Sequence, residues 1–338
     1  MSRSRASRNP SSLIVSVGCP CGIGPEVAVR AAATVPGCVL VGDFEMLLEA
    51  AELVSVSRAR LVPFNGEASD PRAIYVHTVG SKLLKRDRKP GKPTAASGAA
   101  QLAYINEAYR LTKADPRRAL VTGPVSKAAI AHSGVTGAEH FLGHTEWLGD
   151  LDRAKSTVMC FAAGSLVSSL VTTHLPIARV PKALTAKGVA DAAYALAELL
   201  LALGKRRPKI VICSLNPHAG ESELLGQEER RAIAPGIASA ARRLGRRAEL
   251  IGPIGAETAF RKAVAGSFAG VVAMYHDQAT IPMKLVAFGE AVNVTMGLSI
   301  VRTSVDHGTA YDIAWTGRAD PVGMRSALEL GRRLVSSR

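Results

Sequence analysis

Short apolar runs alternate with longer amphipathic segments along most of this chain. The short runs are rich in Val, Ile and Leu, which predicts strands, while the longer segments have the periodicity of helices. Strands are predicted at 13–17, 39–41, 119–121, 157–161, 166–173, 210–215, 250–251 and 271–275. Helices are predicted from 25 onward and at 43–53, 99–113, 189–203 and 324–335. Such alternation is typical of an α/β fold with a mostly parallel sheet.

One pair of strands breaks this order. The runs 157–161 and 166–173 flank Ala-Ala-Gly-Ser and predict a hairpin, which we expect to be an antiparallel insertion of the kind used for dimer contacts. The glycine-rich loop 18–24 joins a strand to a helix, but it is not G-x-G-x-x-G and does not by itself establish a dinucleotide site. We expect two subdomains with a cleft between them.

Composition narrows the class of protein. The chain has no apolar run of about 18 residues, so we expect no membrane span. The segment 1–10 is basic and lacks the features of a secretory signal, which predicts a disordered arm. Five scattered cysteines argue against a disulfide framework, and we expect a cytoplasmic protein. The net charge of +14 suits nucleic acid or anionic metabolites; its Arg and Lys clusters lack interleaved aromatics, so we expect no nucleic-acid partner.

Three predicted strands are followed by a histidine and a turn, at His174, His218 and His276. Ligands of α/β sheets collect at the carboxyl ends of strands, and neutral imidazole is a common metal ligand. A single histidine of this kind is more simply a strand cap, but three in equivalent positions favour a divalent-metal centre with an open position for substrate. The spacing is not that of a local zinc motif.

A second group of polar residues suits a phosphate. His144 and Thr145 follow a glycine, and Lys284, Asn293 and Arg302 fall in what we predict to be one segment of short strands. Lys and Arg donate charge-assisted hydrogen bonds to phosphate, and Arg does so bidentately. Surface ion pairs are the alternative, which the apolar neighbours of Arg302 disfavour because they place it as if at a strand end.

Together these motifs resemble the 4-hydroxythreonine-4-phosphate dehydrogenase family of pyridoxal phosphate biosynthesis, over nearly the whole chain. The resemblance is carried by Gly22-Ile-Gly-Pro-Glu26, Thr122-Gly-Pro-Val-Ser-Lys127, Gly143-His-Thr-Glu146, Thr172-Thr-His-Leu-Pro176, Leu215-Asn-Pro-His-Ala-Gly-Glu221, Met274-Tyr-His-Asp-Gln278 and Arg302-Thr-Ser-Val-Asp-His-Gly-Thr-Ala310.

The resemblance implies an isocitrate/isopropylmalate dehydrogenase-like fold of two α/β subdomains, with the active site in the cleft between them. We expect residues 1–123 and 292–338 to form the nucleotide side, and residues 124–291 to form the metal and dimer side. It also implies a homodimer whose active site is shared across the interface, with the third metal ligand supplied by the partner subunit.

The resemblance also assigns residues. It implies metal ligation by His174, His218 and His276, and substrate binding by His144, Thr145, Lys284, Asn293 and Arg302. Asp306, His307 and Gly308 lie in a segment similar to the nucleotide loop of isopropylmalate dehydrogenases, which implies NAD or NADP as cofactor. Asp277 is the candidate catalytic base, or it orients the substrate's amino group; support of His276 is its alternative role.

The implied reaction is oxidation of the secondary alcohol of 4-phosphooxy-L-threonine to 2-amino-3-oxo-4-phosphooxybutanoate, which decarboxylates to 3-amino-2-oxopropyl phosphate. A zinc, magnesium or cobalt ion would act as the Lewis acid. This chain departs from the family pattern in having Cys19 in place of an acidic residue, Glu257 in place of a shorter Asp, and Trp315 in place of a small residue. The first two departures affect the substrate end of the pocket, and the third affects the cofactor end.

Other functions stay open at this point. One is a related dehydrogenase of a phosphorylated sugar acid, such as 4-phospho-erythronate or phospho-D-threonate. Another acts on an aromatic dihydrodiol carboxylate, which Lys284, Asn293 and Arg302 disfavour. A metal-dependent phosphatase is the alternative from a different class, disfavoured because the sequence shows no carboxylate cluster for a two-metal site.

Overall fold

The computed structural model describes residues 12–338, so the segment 1–10, predicted to be a disordered arm, lies outside the described residues. The strands are β1 Ser12–Ser16, β2 Cys38–Gly42, β3 Leu61–Pro63, β4 Ile74–Thr78, β5 Arg118–Thr122, β6 Val158–Ala163, β7 Leu166–Leu170, β8 Lys209–Cys213, β9 Glu249–Ile254, β10 Gly270–Ala273, β11 Val292–Met296 and β12 Val301–Val305. The helices are α1 Gly24–Ala32, α2 Phe44–Leu53, α3 Ala95–Lys113, α4 Lys127–Ala131, α5 His144–Leu151, α6 Val180–Ala183, α7 Ala186–Ala202, α8 Ala234–Leu244, α9 Ala256–Val264, α10 His276–Val286 and α11 Val322–Ser336. No helix in this described range is both long and apolar enough to cross a membrane.

The chain divides into two compact units. The first unit comprises the described residues up to Leu148 and Ser299–Ser336, and the second comprises Gly149–Leu298 and Ser337–Arg338. In the first unit the strands lie in the order β3-β4-β2-β1-β5-β12, and every neighbouring pair is parallel. The buried strands β1 and β2 are continuous runs of Val, Ile and Leu, as expected for a parallel sheet covered on both faces.

The second unit has a mixed sheet in the order β11-β6-β7-β10-β8-β9. Strands β11, β6 and β7 pair antiparallel, whereas β7, β10, β8 and β9 pair parallel. The predicted hairpin is therefore present, but it is not an insertion. Both of its strands lie inside the sheet, and Phe161 of β6 and Leu170 of β7 belong to the core of this unit.

The unit boundaries differ from those expected at 123/124 and 291/292. Residues 124–148 group with the first unit because α4 packs directly on α3. A β-carbon on Gly98 of α3 would lie 1.9 Å from the carbonyl oxygen of Ala129, so only glycine permits this approach. The backbone amide of Ser126 also donates to Gln101 of α3, at 2.8 Å.

Candidate active site

The three histidines follow neighbouring parallel strands of the second unit. Strand β10 lies between β7 and β8, so the carboxyl ends of all three strands lie at one edge. Pairing continues beyond β7, because the amide and hydroxyl of Thr172 both donate to the carbonyl of Met274, at 3.1 and 2.7 Å. His174 and His276 each lie two residues farther along, and their ring centroids are 5.5 Å apart.

The carboxylate of Asp277 orients the ring of His276. Its Oδ1 lies 2.7 Å from Nδ1 of His276, which leaves Nε2 as the available ligand atom. Two imidazoles that bind one ion at about 2.1 Å would have centroids about 5 Å apart, close to the observed separation. The donor chemistry and spacing of His174 and His276 therefore fit a divalent ion.

His218 lies in a turn of unusual backbone conformation after β8. All six residues from 218 to 223 have positive φ, and only Gly220 among them is glycine. Each non-glycine residue in this region costs about 1 kcal/mol, so the surroundings must hold the turn. The Leu225 amide does so in part, because it donates to the Gly220 carbonyl at 3.1 Å. The Glu229 carboxylate fixes the segment just before the turn, because its Oε1 accepts from the amides of Leu215 and Asn216, both at 2.9 Å.

The described residues of one chain contain no group of three His, Cys, Asp or Glu side chains arranged to hold a metal. The structure thus brings His174 and His276 together and leaves His218 outside a three-ligand group. His218 instead lines a cavity of about 510 Å³ in the second unit, together with Glu257, Tyr275 and Gln278. The hydroxyl of Thr258 and Nε of Arg261 donate hydrogen bonds to the Glu257 carboxylate, at 2.8 and 2.9 Å.

A cationic cluster lies in the first unit. Arg302 on β12 is 3% exposed, and its Nη2 donates to the hydroxyl of Thr122 at 2.6 Å. His144 begins α5, and its Nε2 is shielded from solvent with no hydrogen-bond partner in the described part of the chain. Lys127 begins α4, and its Nζ lies 3.6 Å from the position of a β-carbon on Gly143. Sequence reasoning missed Lys127 because nothing in the local pattern places it beside His144.

Burial and mutual repulsion change the pKa values of this cluster. Burial lowers the pKa of His144 well below its usual value, and the charges of Arg302 and Lys127 lower it further. Burial lowers the pKa of Arg302 to about 10, and Glu146 opposes that change. At neutral pH the cluster therefore contains charged Arg302 and a neutral imidazole that can donate one N–H.

Lys284 and Asn293 lie in the second unit, in different kinds of element. Asn293 is on β11 as expected, and its Oδ1 is shielded with no hydrogen-bond partner among the residues described. The prediction of a short strand at Lys284 was wrong, since this residue is on α10. Ala279 and Met283 bury one face of α10 against the core, and this packing overrides the weak helix propensity of a segment containing Pro282.

The predicted nucleotide residues follow β12 in the first unit. Nδ1 of His307 lies 3.0 Å from the Gly308 carbonyl, and its Nε2 is shielded with no partner within residues 12–338. The glycine-rich loop packs against this segment, because the Ile23 amide donates to the Thr309 carbonyl at 3.0 Å. A β-carbon on Gly22 would lie 2.8 Å from that same oxygen, so the contact requires glycine.

Comparison with known proteins identifies the family. A sequence profile described as pyridoxal phosphate biosynthetic protein PdxA matches residues 34–331. This chain belongs to the PdxA family. A 4-hydroxythreonine-4-phosphate dehydrogenase of Geobacter metallireducens is 39% identical over 330 residues, covering 96% of this chain and 95% of the relative.

Solved structures of similar proteins share this fold. A 4-hydroxythreonine-4-phosphate dehydrogenase from Klebsiella pneumoniae superposes with a TM-score of 0.83 at 34% identity, covering 96% of this chain and 99% of the other. A terephthalate 1,2-cis-dihydrodiol dehydrogenase from Burkholderia xenovorans LB400 has a TM-score of 0.66 at 31% identity, covering 96% and 98%. The resemblance, the α/β fold class and the assignment to the dehydrogenases are confirmed.

Cys19 lies in an electrostatically unusual position in the glycine-rich loop. Its Sγ is 3.6 Å from the hydroxyl of Tyr311. A hydrogen bond from Cys21 lowers the pKa of Cys19 to about 7, with smaller help from Tyr311 and against the opposing effect of burial. The same interaction and burial raise the pKa of Cys21. Cys19 can therefore carry negative charge near neutral pH.

We expect the thiolate absorbance of the folded protein to titrate with a midpoint near pH 7 and to lose this transition in Cys19→Ser. A folded pKa below the ordinary 9 means that Cys19 contributes stability above pH 9, which is lost as the pH falls through 7. Cys160→Ser is the control and should keep the transition near pH 7, because burial raises the pKa of Cys160 and so removes this thiol from the titration at neutral pH. A single transition near the ordinary thiol pKa in both the wild type and Cys19→Ser would contradict the expectation.

Proposed function

We propose that this PdxA-family protein oxidises the secondary alcohol of 4-phosphooxy-L-threonine with NAD or NADP, dependent on a divalent metal ion. The product, 2-amino-3-oxo-4-phosphooxybutanoate, loses CO₂ to give 3-amino-2-oxopropyl phosphate. The observation that carries the proposal is the cationic cluster of Arg302, Lys127 and His144 in the first unit. Such a cluster suits a phosphorylated substrate, and the similar 4-hydroxythreonine-4-phosphate dehydrogenases are named for one.

The phosphate would relieve the unfavourable electrostatics of this cluster. Arg302 is charged at neutral pH although burial disfavours its charge, so a bound dianion stabilises it. His144 and Thr145 begin α5, where N–H groups and the helix dipole favour an anion. Lys284 and Asn293 are proposed as further substrate-binding residues.

His174, His218 and His276 are proposed to hold a zinc, magnesium or cobalt ion. When bound, this ion would supply Lewis-acid stabilisation of negative charge on the substrate oxygen. Asp277 holds the tautomer of His276 through its 2.7 Å hydrogen bond, which is a positioning role. Its assignment as catalytic base stays a prediction, as do those of Asp306, His307 and Gly308 in binding the nicotinamide cofactor.

Helix α10 supports a homodimer as the working form. Ile281 and Leu285 are exposed four residues apart on α10, and Phe288 lies two residues beyond its end; Leu285 is 82% and Phe288 86% exposed. Ile281 and Leu285 form an apolar stripe on the helix that also contains His276 and Lys284, and Phe288 adds to the apolar surface just after it. A second copy that covers the stripe would lie next to the metal residues, in keeping with a site that one chain leaves incomplete.

Subunit mixing tests the shared site. Inactive His174→Ala, His218→Ala and His276→Ala subunits are to be mixed in the three possible pairs after reversible dissociation. If one histidine comes from the partner, the two mixtures that pair its variant with another variant recover activity, because each mixed dimer then contains one intact site. The third mixture stays inactive. Inactivity of all three, despite demonstrated subunit exchange, would contradict the shared site.

Turnover of the purified protein tests the reaction itself. Absorbance of the reduced nicotinamide is followed with 4-phosphooxy-L-threonine, 4-phospho-erythronate, phospho-D-threonate and terephthalate dihydrodiol, with each cofactor and metal. We expect the first substrate to give the highest kcat/KM. Release of phosphate without reduced cofactor would identify a phosphatase instead.

A cytoplasmic location is also proposed, since all five cysteines are buried free thiols.

A further inference from the structure

A basic pocket in the first unit contains none of the residues proposed above to bind the substrate, the metal or the nicotinamide cofactor. It has a volume of about 470 Å³, within the range of small-molecule sites. The residues that define it come from α2, from the turn after β4 and from the end of the predicted nucleotide segment. They are Glu49, Lys85, Arg86, Arg88, Lys89, Pro90 and Trp315.

The charge of this pocket is strongly positive. Four cations line it against one carboxylate, and that carboxylate, Glu49, accepts from Nη1 of Arg88 at 2.8 Å. The side chain of Arg88 is only 8% exposed, and its Nε is buried with no hydrogen-bond partner in the described range. The Arg86 side chain is 81% exposed, and its Nε is 4.0 Å from the carboxylate of Asp87. A phosphate dianion matches this arrangement because guanidinium groups bind it through paired charge-assisted hydrogen bonds.

Trp315 provides a fixed aromatic surface in the same pocket. Its φ of 58° lies in the left-handed region, where a bulky residue is held only by its surroundings. Its backbone amide donates to the carboxylate of Glu26, and its ring N–H donates to the Pro20 carbonyl at 2.8 Å. An immobilised indole is suited to stacking against a nucleic base.

The pocket is joined to the predicted nucleotide segment. Trp315 directly follows the predicted nucleotide segment, residues 306–314. The loop 18–24 is hydrogen-bonded both to that segment and to the basic turn, by which we mean residues 85–91. The Ile23 amide donates to the Thr309 carbonyl at 3.0 Å, and the Gly91 amide donates to the Cys21 carbonyl at 2.9 Å. The Sγ of Cys21 also donates to the Asp87 carbonyl at 3.3 Å.

We propose that this pocket binds the adenosine 2′-phosphate of NADP, and that the chain therefore prefers NADP to NAD. The inference rests on the proposed nicotinamide-dependent function. Enzymes that select NAD use a carboxylate to accept from the ribose 2′-hydroxyl. Here the only carboxylate that lines the described pocket is paired with Arg88, whereas three further cations surround it.

Direct calorimetric binding of adenosine 2′,5′-bisphosphate and of 5′-AMP tests the proposal without turnover. The wild type is expected to bind the bisphosphate at least about tenfold more tightly, the effect of one charge-assisted hydrogen bond. The Arg86→Gln/Lys89→Gln double variant should lose this preference and keep its affinity for 5′-AMP. Trp315→Ala should weaken both nucleotides. Lys82→Gln, which removes an exposed charge nearby but outside the pocket, should leave the preference unchanged.

Equal affinity of the wild type for the two nucleotides would overturn the proposal, as would a loss of preference in Lys82→Gln as large as that in the double variant. These outcomes are distinct from failure of the proposed function. If the bisphosphate is preferred but no substrate reduces a nicotinamide, the pocket assignment stands and the reaction fails. If NAD and NADP support equal turnover and neither nucleotide is preferred, the reaction stands and the pocket assignment fails.

Discussion

Replacement of His276 by alanine is expected to remove the bound metal and to lower kcat/KM by at least about a thousandfold. A catalytic metal contributes several kcal/mol of charge stabilisation, and each 1.4 kcal/mol corresponds to about a factor of ten. The fold should persist, because His276 begins α10 at the edge of the sheet and lies outside the core cluster of its unit. Metal analysis and steady-state kinetics of the purified variant measure both effects.

Two further variants separate ligation from general damage. Asp277→Asn keeps all three histidines but weakens the hydrogen bond that orients His276, so metal affinity or activity should fall by about 10–100-fold. His140→Ala removes an exposed histidine outside the candidate site and should change neither quantity. Full metal occupancy in His276→Ala would remove this residue from the ligand set.

Arg302→Met is expected to lower kcat/KM for 4-phosphooxy-L-threonine at least about tenfold, since it removes at least one charge-assisted hydrogen bond to phosphate. Its Tm should change little or rise. The pKa of Arg302 is lowered in the folded protein, so burial of the charged form costs stability at every pH below about 10. Methionine fills similar space without that cost, as replacements of buried charges by apolar side chains often do.

The loss in Arg302→Met should be specific to the phosphorylated substrate. 4-Hydroxy-L-threonine, which lacks the phosphate, should be a poor substrate of the wild type and should change little in the variant. Arg110→Met makes the same substitution at an exposed arginine paired with Glu107 and should affect neither substrate. An equal proportional loss on both substrates, with a large fall in Tm, would show that Arg302 only supports the fold.

Several elements could be predicted from the sequence because their pattern is local. Strands β1, β2, β5, β8 and β10 are compact, mostly apolar runs. Strand β3 was missed because it is only three residues long and has one buried residue. Strand β4 was also missed, although its first three residues are buried. Helix α10 was missed because Thr280, Ile281 and Pro282 disfavour a helix locally, while burial of Met283 stabilises it.

The sequence by itself determined which chemical groups the site contains and that three histidines follow strands, because apolar patterning and turn residues act over a few neighbouring positions. Only the tertiary structure decided which of these groups meet. Lys127 joins His144 and Arg302 because Gly98 lets α4 approach α3, and His174 meets His276 because β7 pairs with β10. Trp315 lines the same pocket as the basic turn because it is hydrogen-bonded to Pro20 and Glu26, which are almost 300 residues away in sequence. Such contacts depend on the packing of distant segments, which no local pattern records.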